Sequence, residues 1–134
     1  MKLVREILYE KFTDESDPIH DMGIGIEHEI RKFLKEINRI NFYDAISYDE
    51  MLRYSASYKK LEFVKYLIES GKANINYNNC IALQWSIANN DIPMMQYLID
   101  KGSRLPDIDV INAIIHQFSI KNREEIYRIL KIKR

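Results

Sequence analysis

Two stretches of the chain repeat one run of apolar and polar positions. They are 52-LRYSASYKKLEFVKYLIESG-71 and 83-LQWSIANNDIPMMQYLIDKG-102. Apolar residues fall at 61, 63, 64, 67 and 68 in the first, and at 92, 94, 95, 98 and 99 in the second. Steps of three and four are the period of a helix with one covered face. The offset is 31 throughout: Leu52 matches Leu83, Ser55 matches Ser86, Leu61 matches Ile92, Val64 matches Met95, and Gly71 matches Gly102. Each glycine sits where a helix end needs a left-handed residue. Asp91 is placed to cap the second helix of its unit, with Pro93 tolerated in the first turn. Asp107, after Pro106, opens another helix. Each unit therefore reads as two short helices.

A further shift of 31 brings 114-IIHQFSIKNREEIYRIL-130 into line. Ile114 then takes the Leu83 place, Phe118 that of Ile87, and Ile126 that of Met95. The closing glycine is missing, as befits a terminal copy with one face in water. Towards the N-terminus, Leu3, Ile7, Leu8 and Phe12 suggest a short helix over 2–12. Ile26, Ile30, Phe33, Leu34 and Ile37 suggest a longer one over 27–40, with Glu27 and Arg31 spaced to pair. The stretch 30-IRKFLKEI-37 matches 63-FVKYLIES-70. The expected fold is all-α: a helical N-terminal cap over 1–47 with an acidic connector at 13–26, then units at 48–78, 79–109 and 110–134. One such unit cannot bury its apolar face alone, so three stacked copies are about the minimum. Tyr54, Phe63, Leu67, Trp85, Leu98 and Ile99 are expected to fill the layers.

The wording of the repeats resembles the ankyrin family. Ser55-Ala56 matches the small-residue pair of that family's first helix. The stretches 61-LEFVKYLIESG-71 and 92-IPMMQYLIDKG-102 match its second helix, and 71-GKANIN-76 its following turn with one extra residue. The usual Thr-Pro-Leu-His opening is absent, and the period is 31 rather than 33. Short-fingered repeats of this kind are similar to those of large DNA viruses and amoebae. The resemblance covers residues 48–130 and implies an α-solenoid that binds proteins, without a cofactor.

Charge and composition add limits. The formal net charge is zero, which gives no global attraction to nucleic acid. The last stretch, 121-KNREEIYRILKIKR-134, holds a basic cluster suited to a helix C-terminus or to weak phosphate contact through Arg123, Arg128, Lys131, Lys133 and Arg134. Cys80 is the one cysteine, so no disulfide forms within the chain and a reducing compartment is expected. No apolar run approaches the ~20 residues of a membrane span, and MKLVREILYEKF lacks a signal-peptide core. A cytoplasmic protein is expected. Heavy use of Ile, Lys, Asn and Tyr points to an AT-rich genome such as many viruses have.

The stretch 13-TDESDPIHDMGIGIEHE-29 combines acids, histidines and glycines without a single cation. A phosphate loop would need a preceding strand and a third glycine, and would not be ringed by carboxylates. His20, Asp21, Glu27 and His28 are competent metal ligands, yet no HExxH-type register exists. The expected reading is a connector: Asp17 caps, Pro18 takes the first helical position, and Gly23 ends a single turn at 18–22. The leader 9-YEKFTDESDPIHDMGIG-25 also resembles openings of small bacteriophage proteins.

These readings converge on a non-catalytic protein-interaction module, with a viral or phage effector as its concrete form and the host cytoplasm as its location. The residues expected to meet the partner are Tyr48, Asp49, Arg53, Lys59 and Lys60 in the first unit. The second unit offers Asn79, Gln84, Asn90 and Asp91, and the third Lys121 and Asn122. A monomer or a homodimer is expected. The alternatives are a virion component recruited through its leader, and a small metal-dependent hydrolase using His20 and His28.

Overall fold

The structure is a computed structural model, and it describes residues 18–38 and 46–132. The chain divides into two compact units, Met1–Ile46 and Ser47–Arg134. Every described element is helical.

In the first unit, α1 runs from Pro18 to Asn38. Ile30 and Leu34 are fully buried, whereas Ile26, Phe33 and Ile37 are half-buried. Arg31 donates to Glu27 at 3.2 Å, one turn away. Gly23 was expected to end a short turn, but the helix passes through both Gly23 and Gly25. A glycine inside a helix costs about 1 kcal/mol relative to alanine. Here Ile26, Ile30, Phe33 and Ile37 keep helical spacing beyond both glycines, and the burial of Ile30 and Leu34 on that side outweighs the cost. The helix expected at 2–12 and the Asp17 cap lie outside the described residues.

The second unit holds three helix pairs: α2 (Tyr48–Ser57) with α3 (Leu61–Glu69), α4 (Tyr77–Ala88) with α5 (Ile92–Asp100), and α6 (Ile108–Gln117) with α7 (Arg123–Leu130). The first helices pack in the order α2, α4, α6, and α5 packs on α7. Between them lie Met51, Leu52, Ala56, Val64, Leu67, Leu83, Ile87, Met94, Met95 and Leu98, all fully buried. Ser55 and Ser86 are fully buried as well. Their small side chains let α2 and α4 approach, and Ser86 Oγ donates back to the Leu83 carbonyl at 2.6 Å. Tyr54, Phe63, Trp85 and Ile99, expected in the layers, are only half-buried.

The turn inside each pair is built the same way. A left-handed residue follows the first helix: Lys59 (φ 62°), Asn90 (φ 52°) and Ser119 (φ 53°). The next amide reaches back to close the helix end, from Lys60 to Ser55, Asp91 to Ser86 and Ile120 to Ile115. This is the Schellman arrangement. Gly71 (φ 77°) and Gly102 (φ 93°) end the second helices as expected. Asp91 caps α5, accepting from the Met94 amide at 3.3 Å, and Ser47 caps α2, accepting from Glu50 at 3.1 Å. Asp107 occupies the cap position of α6, but its side chain makes no cap bond.

Those turns set the register of the third pair. Ser55, Ser86 and Ile115 are equivalent, so the step is 31 and then 29. The step stays at 31 in the second helices, which start at Leu61, Ile92 and Arg123. The third turn is two residues longer. Phe118 therefore does not take the place of Ile87; it stands at the end of α6, 46% exposed.

The start of α4 departs from its sisters. Asn78, Asn79 and Cys80 are left-handed (φ 55°, 56° and 58°), where α2 and α6 have ordinary caps and a right-handed first turn. Such backbone costs roughly 1–2 kcal/mol per residue, eased at asparagine. Local bonds hold it. Gln84 Nε2 donates to the Asn79 carbonyl at 2.8 Å, and the Cys80 amide donates to the Asn76 carbonyl at 3.2 Å.

Candidate interaction surface

The expected contact residues fall at three levels along the first helices. Tyr48, Asp49 and Asn79 lie at their N-terminal ends, and Arg53 and Gln84 lie midway. Lys59, Lys60, Asn90, Asp91, Lys121 and Asn122 lie at the turns beyond their C-terminal ends. Ten helical residues separate the two ends by about 15 Å.

At the N-terminal level the polar groups mostly hold neighbouring repeats together. Asp49 accepts the Asn74 amide at 2.7 Å, and Asn76 Oδ1 accepts the Arg104 amide at 2.8 Å. Tyr77 donates its hydroxyl to Glu50, whose other oxygen accepts from Arg53 at 3.1 Å. The hydrogen bond to that carboxylate pushes the Tyr77 phenol above its ordinary value. The Lys72 ammonium stands 5.1 Å from the Tyr48 ring and 5.6 Å from that of Tyr66. Cys80 is buried, its thiol 3.6 Å from Asn76 Oδ1.

Midway, Arg53 and Gln84 occupy equivalent places on adjoining helices. Each makes its hydrogen bond inside its own repeat, Arg53 to Glu50 and Gln84 to Asn79. Both remain partly accessible.

The turn level forms a continuous edge. Asn89 Nδ2 donates to the Ser57 carbonyl at 3.0 Å, joining the first two turns. Asn90 and Asn122 join the second and third by two amide bonds, at 2.8 Å and 3.0 Å. Lys59, Lys60, Lys121 and Arg123 are exposed along this edge. Tyr58 (50% exposed) and Phe118 (46%) stand at equivalent positions two repeats apart. Neither aromatic was expected here. The matching helix ends at Tyr58 and Asn89 were the available signal for Tyr58, and the longer third turn hid Phe118.

On the second helices, Tyr97 donates to Glu69 at 2.7 Å, and Lys65 and Lys101 lie 5.5 Å and 5.8 Å from its ring. Burial, then this bond, raises the Tyr97 phenol well above its usual value. An open apolar groove is lined by Leu105, Pro106, Ile108, Ile111 and Ile132, from around the start of α6 and just beyond its partner helix. Among the described residues no three metal-ligating side chains gather, and His28 is exposed on α1. No described helix is long and apolar enough to cross a membrane.

Comparison with known proteins bears on the repeats. No curated protein and no solved structure gives a significant match. A family model described as ankyrin repeats (three copies) matches residues 25–112. The match begins inside α1 and ends inside α6, so it starts before the 48–130 span that the repeat wording suggested. It covers more than half of the chain, and the chain belongs to the ankyrin-repeat family.

Proposed function

We propose that this protein is a non-catalytic adaptor that takes a partner protein across its first helices. Its concrete form is a viral or phage effector that occupies a host protein in the host cytoplasm. Ankyrin repeats generally serve protein–protein interaction. The observation that carries the proposal is the pair Arg53 and Gln84. They sit at equivalent places on neighbouring helices, each gives its side-chain hydrogen bond to an acceptor within its own repeat, and both remain partly accessible. A partner laid across the helices meets both, by shape and scattered polar contacts rather than by chemistry. The amino-acid usage and the short-fingered repeat wording support the viral form.

The test is affinity capture from lysates of candidate hosts with the intact chain and with an R53E/Q84K variant. A stoichiometric partner held by the first and lost by the second is expected. A partner kept by both would remove the first-helix face from the binding site.

A further inference from the structure

The first turn of α4 departs from its sisters, yet its sequence also spells the ordinary start. Counted back from Ser55, Ser86 and Ile115, position 78 is equivalent to Ser47 and Asp107, and position 80 to Asp49 and Asp109. Ser47 and Asp107 are extended (φ −78°, ψ 161° and φ −58°, ψ 149°), and right-handed turns follow them directly. Asparagine caps a helix as well as serine or aspartate does. Asn78 is therefore fit for the same role, accepting the Ile81 amide as Ser47 accepts that of Glu50.

We infer that this turn is a two-state switch, left-handed at rest and right-handed when released, and that release carries Cys80 from the core to the surface. In the left-handed form Cys80 is 4% exposed. At the equivalent place in the right-handed turns, Asp49 is half-buried and Asp109 exposed. The two conformations thus place one side chain in opposite surroundings.

The left-handed form is held by few bonds. The Cys80 amide donates to the Asn76 carbonyl at 3.2 Å, and Asn76 Oδ1 ties the turn to the third repeat through the Arg104 amide at 2.8 Å. Against them stand three left-handed residues, of which Cys80 lacks the short polar side chain that eases such backbone. Gln84 supplies the remaining hold, donating to the Asn79 carbonyl at 2.8 Å. In a right-handed turn that carbonyl accepts the Leu83 amide, and the Gln84 bond becomes dispensable. Gln84 is also half of the proposed partner face. Resting on that reading, a partner that takes the Gln84 carboxamide releases the turn, and by linkage a released turn binds that partner more tightly.

The experiment follows alkylation of the full chain by iodoacetamide, read by mass. Cys80 is the one cysteine, so each adduct reports this turn. The intact chain is expected to react about tenfold or more slowly than a free thiol, at a rate that stays flat in low urea, because a local opening exposes little surface. Gln84→Ala should speed the reaction about fivefold, the worth of one hydrogen bond. Asn79→Ala should speed it as well, since alanine resists the left-handed form, whereas Asn79→Gly should slow it. Circular dichroism checks that each variant keeps its helices. A rate that climbs with urea from zero would overturn the inference, because the thiol is then reached only by global unfolding. A rate unmoved by Gln84→Ala and Asn79→Ala would overturn it, as would faster reaction of Asn79→Gly. Reaction of the intact chain at the free-thiol rate would mean that the resting turn is not left-handed, and would overturn it too. No partner enters the experiment, so its result is independent of whether the first-helix face takes one.

Discussion

Asn90 and Asn122 face each other across neighbouring turns and exchange amide hydrogen bonds at 2.8 Å and 3.0 Å. Each side chain gives one N–H and receives one, so neither carboxamide is half-used. Asn122 also donates to Glu125, which fixes its rotamer at the start of α7.

This pair is expected to couple the second and third repeats. A double-mutant cycle with Asn90→Gly and Asn122→Ala should give about 0.5–1 kcal/mol of interaction. Glycine is chosen at 90 because the residue is left-handed there. Urea unfolding of the four proteins measures it, and strictly additive effects would mean that the pair holds nothing together.

Backbone handedness gives a second expectation. A Cβ added at Gly71 or Gly102 would meet nothing within 4 Å. Gly71→Ala and Gly102→Ala should each cost about 1 kcal/mol from positive φ alone. Lys59→Gly should do the reverse and add about 0.5 kcal/mol, because relief of the left-handed strain exceeds the added freedom of the unfolded chain. Thermal melts of the three variants check both signs.

Register is testable through Phe118. Leu98 is fully buried, and Leu98→Ala should cost about 2–5 kcal/mol. Phe118→Ala should stay within about 0.5 kcal/mol, because the ring stands outside the core. A large loss at 118 would restore a uniform step of 31.

Alkaline pH should weaken the fold. Tyr77, through its bond to the Glu50 carboxylate, and Tyr97, through burial and its bond to Glu69, hold their protons more tightly folded than unfolded. A raised pKa contributes stability that is complete below the unfolded value of about 10 and is lost as pH climbs past it. Chemical denaturation between about pH 9 and 11 should show a falling midpoint. Tyr97→Phe should flatten that fall, and an unchanged slope would remove Tyr97 as its source.

The helix pairs were legible because 61–68 and 92–99 carry the same apolar spacing before a glycine. The third register was not, because α6 is rich in isoleucine. A step of 31 puts Ile114 opposite Leu83, and a step of 29 puts Ile115 opposite Ser86. Apolar pattern alone accepts both, and only the turn amides distinguish them. The continuity of α1 was hidden by local propensity, since Gly23 and Gly25 argue for a break that the longer apolar stripe overrides. The contact residues could be chosen by polarity, but their division between two ends of the first helices depends on where each helix stops. The exposure of Phe118 depends on the same two extra residues.

The left-handed turn at Asn78–Cys80 restricts which sequences can occupy it. A left-handed backbone favours a residue without a Cβ or with a short polar side chain that bonds locally, and it penalises branching at Cβ most. Glycine, asparagine and aspartate enter it cheaply, whereas valine, isoleucine and threonine are the most disfavoured even where room is ample. The doorway into the middle repeat should therefore accept a much narrower alphabet than the equivalent starts at Ser47 and Asp107.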